Sequence, residues 1–210
     1  MKKVFNLIIV DESGSMSIIQ HQALMGLNET LETIQKMQDL YKDKSQIVSL
    51  LTFSTTHCGF IFENEPVENT HTLSKGEYQP RGGTPLYDAI GLGISKTNAA
   101  VEEGDEVIVT IITDGEENSS VEFNLKMIKN LIDKLKAQKW IFALIGTDNL
   151  DVEGMGRNMS INNRMSFQQT DEGTKKMFAE ERASRINFND CLNQDMEINR
   201  DDYFNKKKKD

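Results

Sequence analysis

Val4-Phe5-Asn6-Leu7-Ile8-Ile9-Val10 runs straight into Asp11-Glu12-Ser13-Gly14-Ser15-Met16, and that junction decides the reading of the chain. The first stretch is short, apolar and not strictly alternating, the pattern of a strand covered on both faces of a parallel sheet. The second gathers a carboxylate and two hydroxyls around a glycine at the strand's carboxyl end, where open α/β sheets bind ligands. Aspartate and serine offer hard oxygen donors, which suit Mg²⁺ or Mn²⁺ and not zinc. The same residues also build ordinary turns and helix caps. The junction gains a chemical meaning only from two later segments.

Three further apolar runs, residues 46–53, 106–113 and 139–146, have the character of the first. Helical stripes separate them. Leu24, Leu27, Leu31, Ile34 and Met37 recur at steps of three and four within residues 17–40. Leu86, Ile90, Ile94 and Thr97 form a second stripe after Pro85, with Thr84 placed to act as N-cap. Val121, Leu125, Ile128, Ile132 and Leu135 form a third within residues 119–138, where Ser119 and Glu122 have capping-box spacing.

Strands alternating with helices predict a doubly wound α/β fold: a mostly parallel central sheet with helices on both faces. Residues 55–62 follow the second run too soon for a helical crossover, which predicts one antiparallel edge strand. Residues 164–167 read as a fifth short strand, 148–163 as a short helix with loops, and 171–186 as a final helix of polar character. The domain is expected over residues 1–188. Residues 189–210 read as a polar, partly disordered tail ending in the lysine run 206–209, a solvated terminus.

Composition narrows the function classes. A chain of 210 residues suffices for one domain with a sizeable core, and a net charge of −9 disfavours a general nucleic-acid or anionic-membrane surface. Cys58 and Cys191 make neither a disulfide framework nor a zinc pattern. The start imitates a short signal peptide, but Asn6 interrupts its apolar run and no small-residue cleavage site follows. No apolar stretch approaches the roughly 20 residues that span a bilayer. The expectation is a cytoplasmic protein without a membrane or nucleic-acid partner.

The second chemical segment is Arg81-Gly82-Gly83-Thr84-Pro85-Leu86-Tyr87-Asp88, a glycine-hinged loop carrying a hydroxyl. The third is Thr113-Asp114-Gly115-Glu116-Glu117-Asn118, another carboxylate at the end of an apolar strand. Two carboxylates brought together in one cleft repel unless a cation sits between them. Asp11-x-Ser13-Gly14-Ser15, Gly83-Thr84-Pro85 and Thr113-Asp114-Gly115, in that order, resemble the von Willebrand factor A domain family and its metal-ion-dependent adhesion site. The resemblance covers residues 4–186 and suggests a stand-alone intracellular bacterial-type member with a Rossmann-like fold.

That resemblance implies metal coordination by the hydroxyls of Ser13, Ser15 and Thr84, with Asp11 and Asp114 binding directly or through water. The ion expected is Mg²⁺, with Mn²⁺ or Ca²⁺ as alternatives. The last coordination position would go to water or to a partner's Asp or Glu. Neutral hydroxyls leave the cation electron-poor, so it attracts an external carboxylate more strongly than an all-carboxylate cage would. Intracellular members resemble adaptors in multiprotein assemblies, including those of AAA+ ATPases. Glu12, Glu116 and Glu117 read as solvated rim charges, Arg81 as a loop arginine, and Met16 and Trp140 as packing residues.

A different class, a metal-dependent hydrolase of the haloacid-dehalogenase-like phosphatase type, also places an Asp after the first strand. Its signature has a second carboxylate where this chain has Ser13, and a hydroxyl is a poor proton shuttle near neutral pH. Neither a Walker loop nor a Gly-x-Ser-x-Gly elbow is present. The sequence therefore predicts a binding module and not an enzyme.

Overall fold

The computed structural model describes residues 1–204. Its six strands are β1 (Lys2–Asp11), β2 (Lys44–Ser54), β3 (His57–Pro66), β4 (Glu106–Thr113), β5 (Ile141–Thr147) and β6 (Asn163–Phe167). They form one sheet in the order β3-β2-β1-β4-β5-β6, parallel except for the antiparallel edge strand β3. The helices are α1 (Gln20–Leu40), α2 (Leu86–Asn98), α3 (Leu125–Lys136), α4 (Val152–Asn158) and α5 (Asp171–Asn193). The expected architecture is the observed one.

The apolar runs are continuous because the central strands are covered twice. Phe5, Leu7 and Ile9 face the core shared with α2 and α3, while Ile8 and Val10 face the one shared with α1 and α5. Each such fully buried side chain contributes roughly 1.5–3 kcal/mol relative to exposure. Asn6 has the second parity. It accepts from Arg185 Nη1 at 2.5 Å and donates to Gln46 Oε1 at 3.0 Å.

Strand order reverses direction at β1, with β2 on one side and β4 on the other. The carboxyl ends of β1 and β4 thus flank a topological switch point, the place where doubly wound sheets hold ligands. Val10 pairs with Ile112, so Asp11 and the Thr113-Asp114 segment emerge side by side.

Local expectations fail in three places. α3 starts at Leu125 with Asn124 as its cap, accepting from Met127 N at 3.1 Å, and not at Ser119. The Ser119 and Ser120 amides are already held by Glu117 Oε1, and Val121 is 90% exposed, outside any stripe. α2 begins at Leu86 without a side-chain cap, so Thr84 does not serve as one.

α5 runs to Asn193, beyond the expected end, and part of its polar character is buried. Arg185 is fully buried, pairing with the buried Glu181 and donating to Thr110 Oγ1 at 3.0 Å. The boundary expected at residue 188 lies within this helix. Tyr203 is buried with its hydroxyl 3.3 Å from Glu181 Oε1, and Arg200 pairs with Glu106 at 2.7 Å. The lysine run lies outside the described residues. No helix among those described is long and apolar enough to cross a membrane.

Candidate metal centre

Four of the five residues expected at the site are linked by hydrogen bonds. Asp11 ends β1 fully buried, its Oδ1 accepting from Ser13 N at 2.7 Å and its Oδ2 from Thr113 Oγ1 at 2.5 Å. Ser15 Oγ donates to Asp114 Oδ1 at 2.7 Å, with Ser13 Oγ 3.5 Å from the same oxygen. The two serine hydroxyls lie 3.2 Å apart. Ser13 is buried and Ser15 exposed, so the cluster opens to solvent at Ser15.

Thr84 reaches the cluster from the second segment. A Cβ added to Gly115 would lie 2.8 Å from Thr84 Oγ1, so glycine next to Asp114 leaves room for that hydroxyl. Thr84 N donates to Asn118 Oδ1 at 2.9 Å, and Thr84 O accepts from Asn118 N at 3.1 Å. Its loop is also tied to the first one: Gly14 N donates to Gly82 O at 3.0 Å and Arg81 N to Glu12 O at 2.8 Å. Gly82 has φ of 75°, a left-handed conformation that costs glycine little.

Two of the residues read as rim charges are part of this scaffold. Glu12 is buried and accepts from Gln79 N, while Tyr78 Oη donates to Asp11 O at 2.8 Å. Glu117 accepts from Tyr87 N at 2.9 Å as well as from Ser119 and Ser120. Both carboxylates are placed to collect backbone amides from loops that would otherwise leave them unpaired. Glu116 is exposed, as expected.

The electrostatics leave a positive charge wanting. Burial pushes the Asp11 carboxyl up to about 6 against the hydrogen bonds from Thr113 and Ser13, with the Asp114 charge adding to the rise. Burial also raises Asp114, opposed by hydrogen bonds from Ser15 and Gln169. No Lys, Arg or His pairs with either carboxylate among the described residues. Nor does any group of three or more His, Cys, Asp or Glu placed to hold a metal ion occur among them. Two poorly solvated carboxylates beside three hydroxyls fit a hard divalent cation that keeps some of its own water. Such an ion would supply the missing charge and a Lewis-acidic position for an external oxygen ligand.

The sequence profile of the von Willebrand factor type A domain matches residues 7–181, most of the chain. The chain belongs to that family. No curated protein matches it in sequence. Among solved structures, the domain is similar to the pilus adhesin SpaC from Lactobacillus rhamnosus GG, with a TM-score of 0.66 and 15% identity, over 89% of this chain and 30% of that one. It is similar to a von Willebrand factor type A protein from Catenulispora acidiphila, with a TM-score of 0.60 and 12% identity, over 87% and 42% of the two chains. Proximal thread matrix protein 1 from the mussel byssus, solved with zinc in its adhesion-site motif, gives a TM-score of 0.57 and 15% identity, over 85% and 44%. This von Willebrand factor A domain therefore spans less than half of each of these chains, and at such identities the likeness is one of fold.

Gln169, from the β6–α5 loop, also meets the cluster, and no motif marked it. Thr113 could have been found: it directly precedes Asp114 at the end of an apolar strand, where a hydroxyl is out of keeping with burial unless it has a partner.

Proposed function

We propose that this von Willebrand factor A domain is a non-enzymatic, Mg²⁺-dependent protein-binding module. Asp11, Ser13, Ser15, Thr84 and Asp114 hold the cation, and an Asp or Glu of a partner protein completes its coordination. The observation that carries this reading is the junction of Ser13, Ser15 and Asp114 beside the buried Asp11, with no cationic side chain among the described residues paired to either carboxylate. A donor set dominated by neutral hydroxyls leaves net positive charge on a bound Mg²⁺, which favours an incoming carboxylate. Ser13 stands where a phosphatase would place its second carboxylate, which supports capture over turnover.

The test is affinity capture from the source cell in Mg²⁺ and in EDTA, with the wild-type protein and the Ser13→Ala/Ser15→Ala variant. A partner retained only by the wild type in Mg²⁺ is expected. Mg²⁺-dependent retention by the double variant would count against the proposal, and so would Mg²⁺-dependent phosphatase turnover lost in Asp11→Asn.

A further inference from the structure

The three segments that build the cluster leave a fourth contact unexplained. Gln169 Nε2 donates to Asp114 Oδ2 at 2.5 Å and lies 3.5 Å from Ser15 O. Asp114 is therefore gripped from two sides, with Oδ1 facing the serine hydroxyls and Oδ2 facing this amide. A carboxylate held at both oxygens cannot rotate about its Cβ–Cγ bond without losing both bonds.

The turn that presents Gln169 is tightly built. Asp148 N donates to Phe167 O at 2.7 Å at its base, and Thr170 N donates to Gln168 O at 2.7 Å. Thr170 Oγ1 caps α5 by accepting from Gly173 N at 3.1 Å. A Cβ on Gly173 would sit 2.2 Å from Gln168 O, so the first turn of α5 packs against the loop only because that residue is glycine.

We infer that Gln169 is a positioning residue for the metal centre, fixing the rotation of the Asp114 carboxylate; this rests on the metal-binding reading proposed above. An amide nitrogen donates hydrogen bonds and does not ligate a hard cation. Gln169 thus orients Asp114 without joining the donor set, as partners behind metal ligands commonly do. Mg²⁺ and Mn²⁺ require near-octahedral geometry at short distances, whereas Ca²⁺ accepts longer and more variable ones. Loss of a positioning bond consequently weakens the smaller ions more than Ca²⁺.

The experiment is calorimetric titration of Mg²⁺, Mn²⁺ and Ca²⁺ into wild-type, Gln169→Met and Gly173→Ala proteins, with the thermal midpoint of each metal-free protein. Met matches Gln in length and lacks the donor. Gln169→Met is expected to weaken Mg²⁺ and Mn²⁺ about tenfold, to change Ca²⁺ by less than about twofold, and to keep the metal-free midpoint. Gly173→Ala, which moves the loop without touching Asp114, is expected to shift selectivity in the same direction. Wild-type Mg²⁺ and Ca²⁺ affinities in Gln169→Met would overturn the inference. So would an equal loss for all three ions with a lowered midpoint, the mark of a merely structural residue. Failure of the wild type to bind any of the ions would overturn the metal-binding reading itself, a result distinct from the other two.

Discussion

Ser15 Oγ lies 2.7 Å from Asp114 Oδ1 although 99 residues separate them in sequence. The contact exists because β1 and β4 are parallel neighbours in register, which puts their carboxyl ends side by side. Chain connections then supply a hydroxyl from one end and a carboxylate from the other.

Metal and protons compete at Asp11. Its folded-state carboxyl is raised from 3.8 to about 6, burial being the main cause. The metal-free fold therefore favours the protonated form. That contribution is fully present below the unfolded value of 3.8 and is lost as pH rises through about 6. At about 1.4 kcal/mol per unit the difference amounts to roughly 3 kcal/mol. Thermal melts of the metal-free protein should thus fall in midpoint between pH 4 and pH 7 by more than the Asp11→Asn variant does. Saturating Mg²⁺ should raise the midpoint most above pH 6 and progressively less below it. A Mg²⁺ effect independent of pH across this range would refute the assignment of Asp11.

Arg185 and Glu181 hold α5 on the sheet as a buried pair joined to Asn6 and Thr110. Removing one partner strands the other charge away from water, which costs about 3–5 kcal/mol. Urea denaturation of Arg185→Ala should show a loss of that size. An Arg185→Met/Glu181→Leu double variant should recover most of it, because both charges leave together. A loss below about 1 kcal/mol for the single variant would mean that the pair is solvated.

Gly26 lets α1 approach α5. A Cβ there would lie 2.2 Å from Cδ2 of Phe178, a buried ring. Alanine gains up to about 1 kcal/mol in helix propensity, while overpacking costs about 1–3 kcal/mol. The steric effect wins, so Gly26→Ala should lower the urea midpoint. A stabilised variant would show that the two helices separate at little cost.

The fold was legible where burial on both faces wrote itself as continuous apolar runs, as in β1, β2, β4 and β5. The start of α3 was not, because Ser119 and Glu122 have the spacing of a capping box. The loop's amides are instead held by Glu117 and by Asp88, which accepts from Val121, Glu122 and Phe123 N. α5 read as a helix of polar character because two charges that cancel inside the core count as surface polarity when seen one at a time. Residues 200–203 looked like tail for a similar reason: the Tyr203 and Arg200 anchors are sparse among polar neighbours. At the site, the motif residues announced themselves through glycine and hydroxyl spacing. Gln169 did not, since a single glutamine in a loop carries no pattern.

Cation binding at the hydroxyl-rich junction is decided by calorimetric titration of Mg²⁺ and Mn²⁺ into the wild type and into Ser13→Ala/Ser15→Ala, with circular dichroism of both. One saturable site in the wild type, lost in a double variant whose dichroism is unchanged, is the predicted result. Equal binding by the two proteins, or no binding by the wild type, would contradict it.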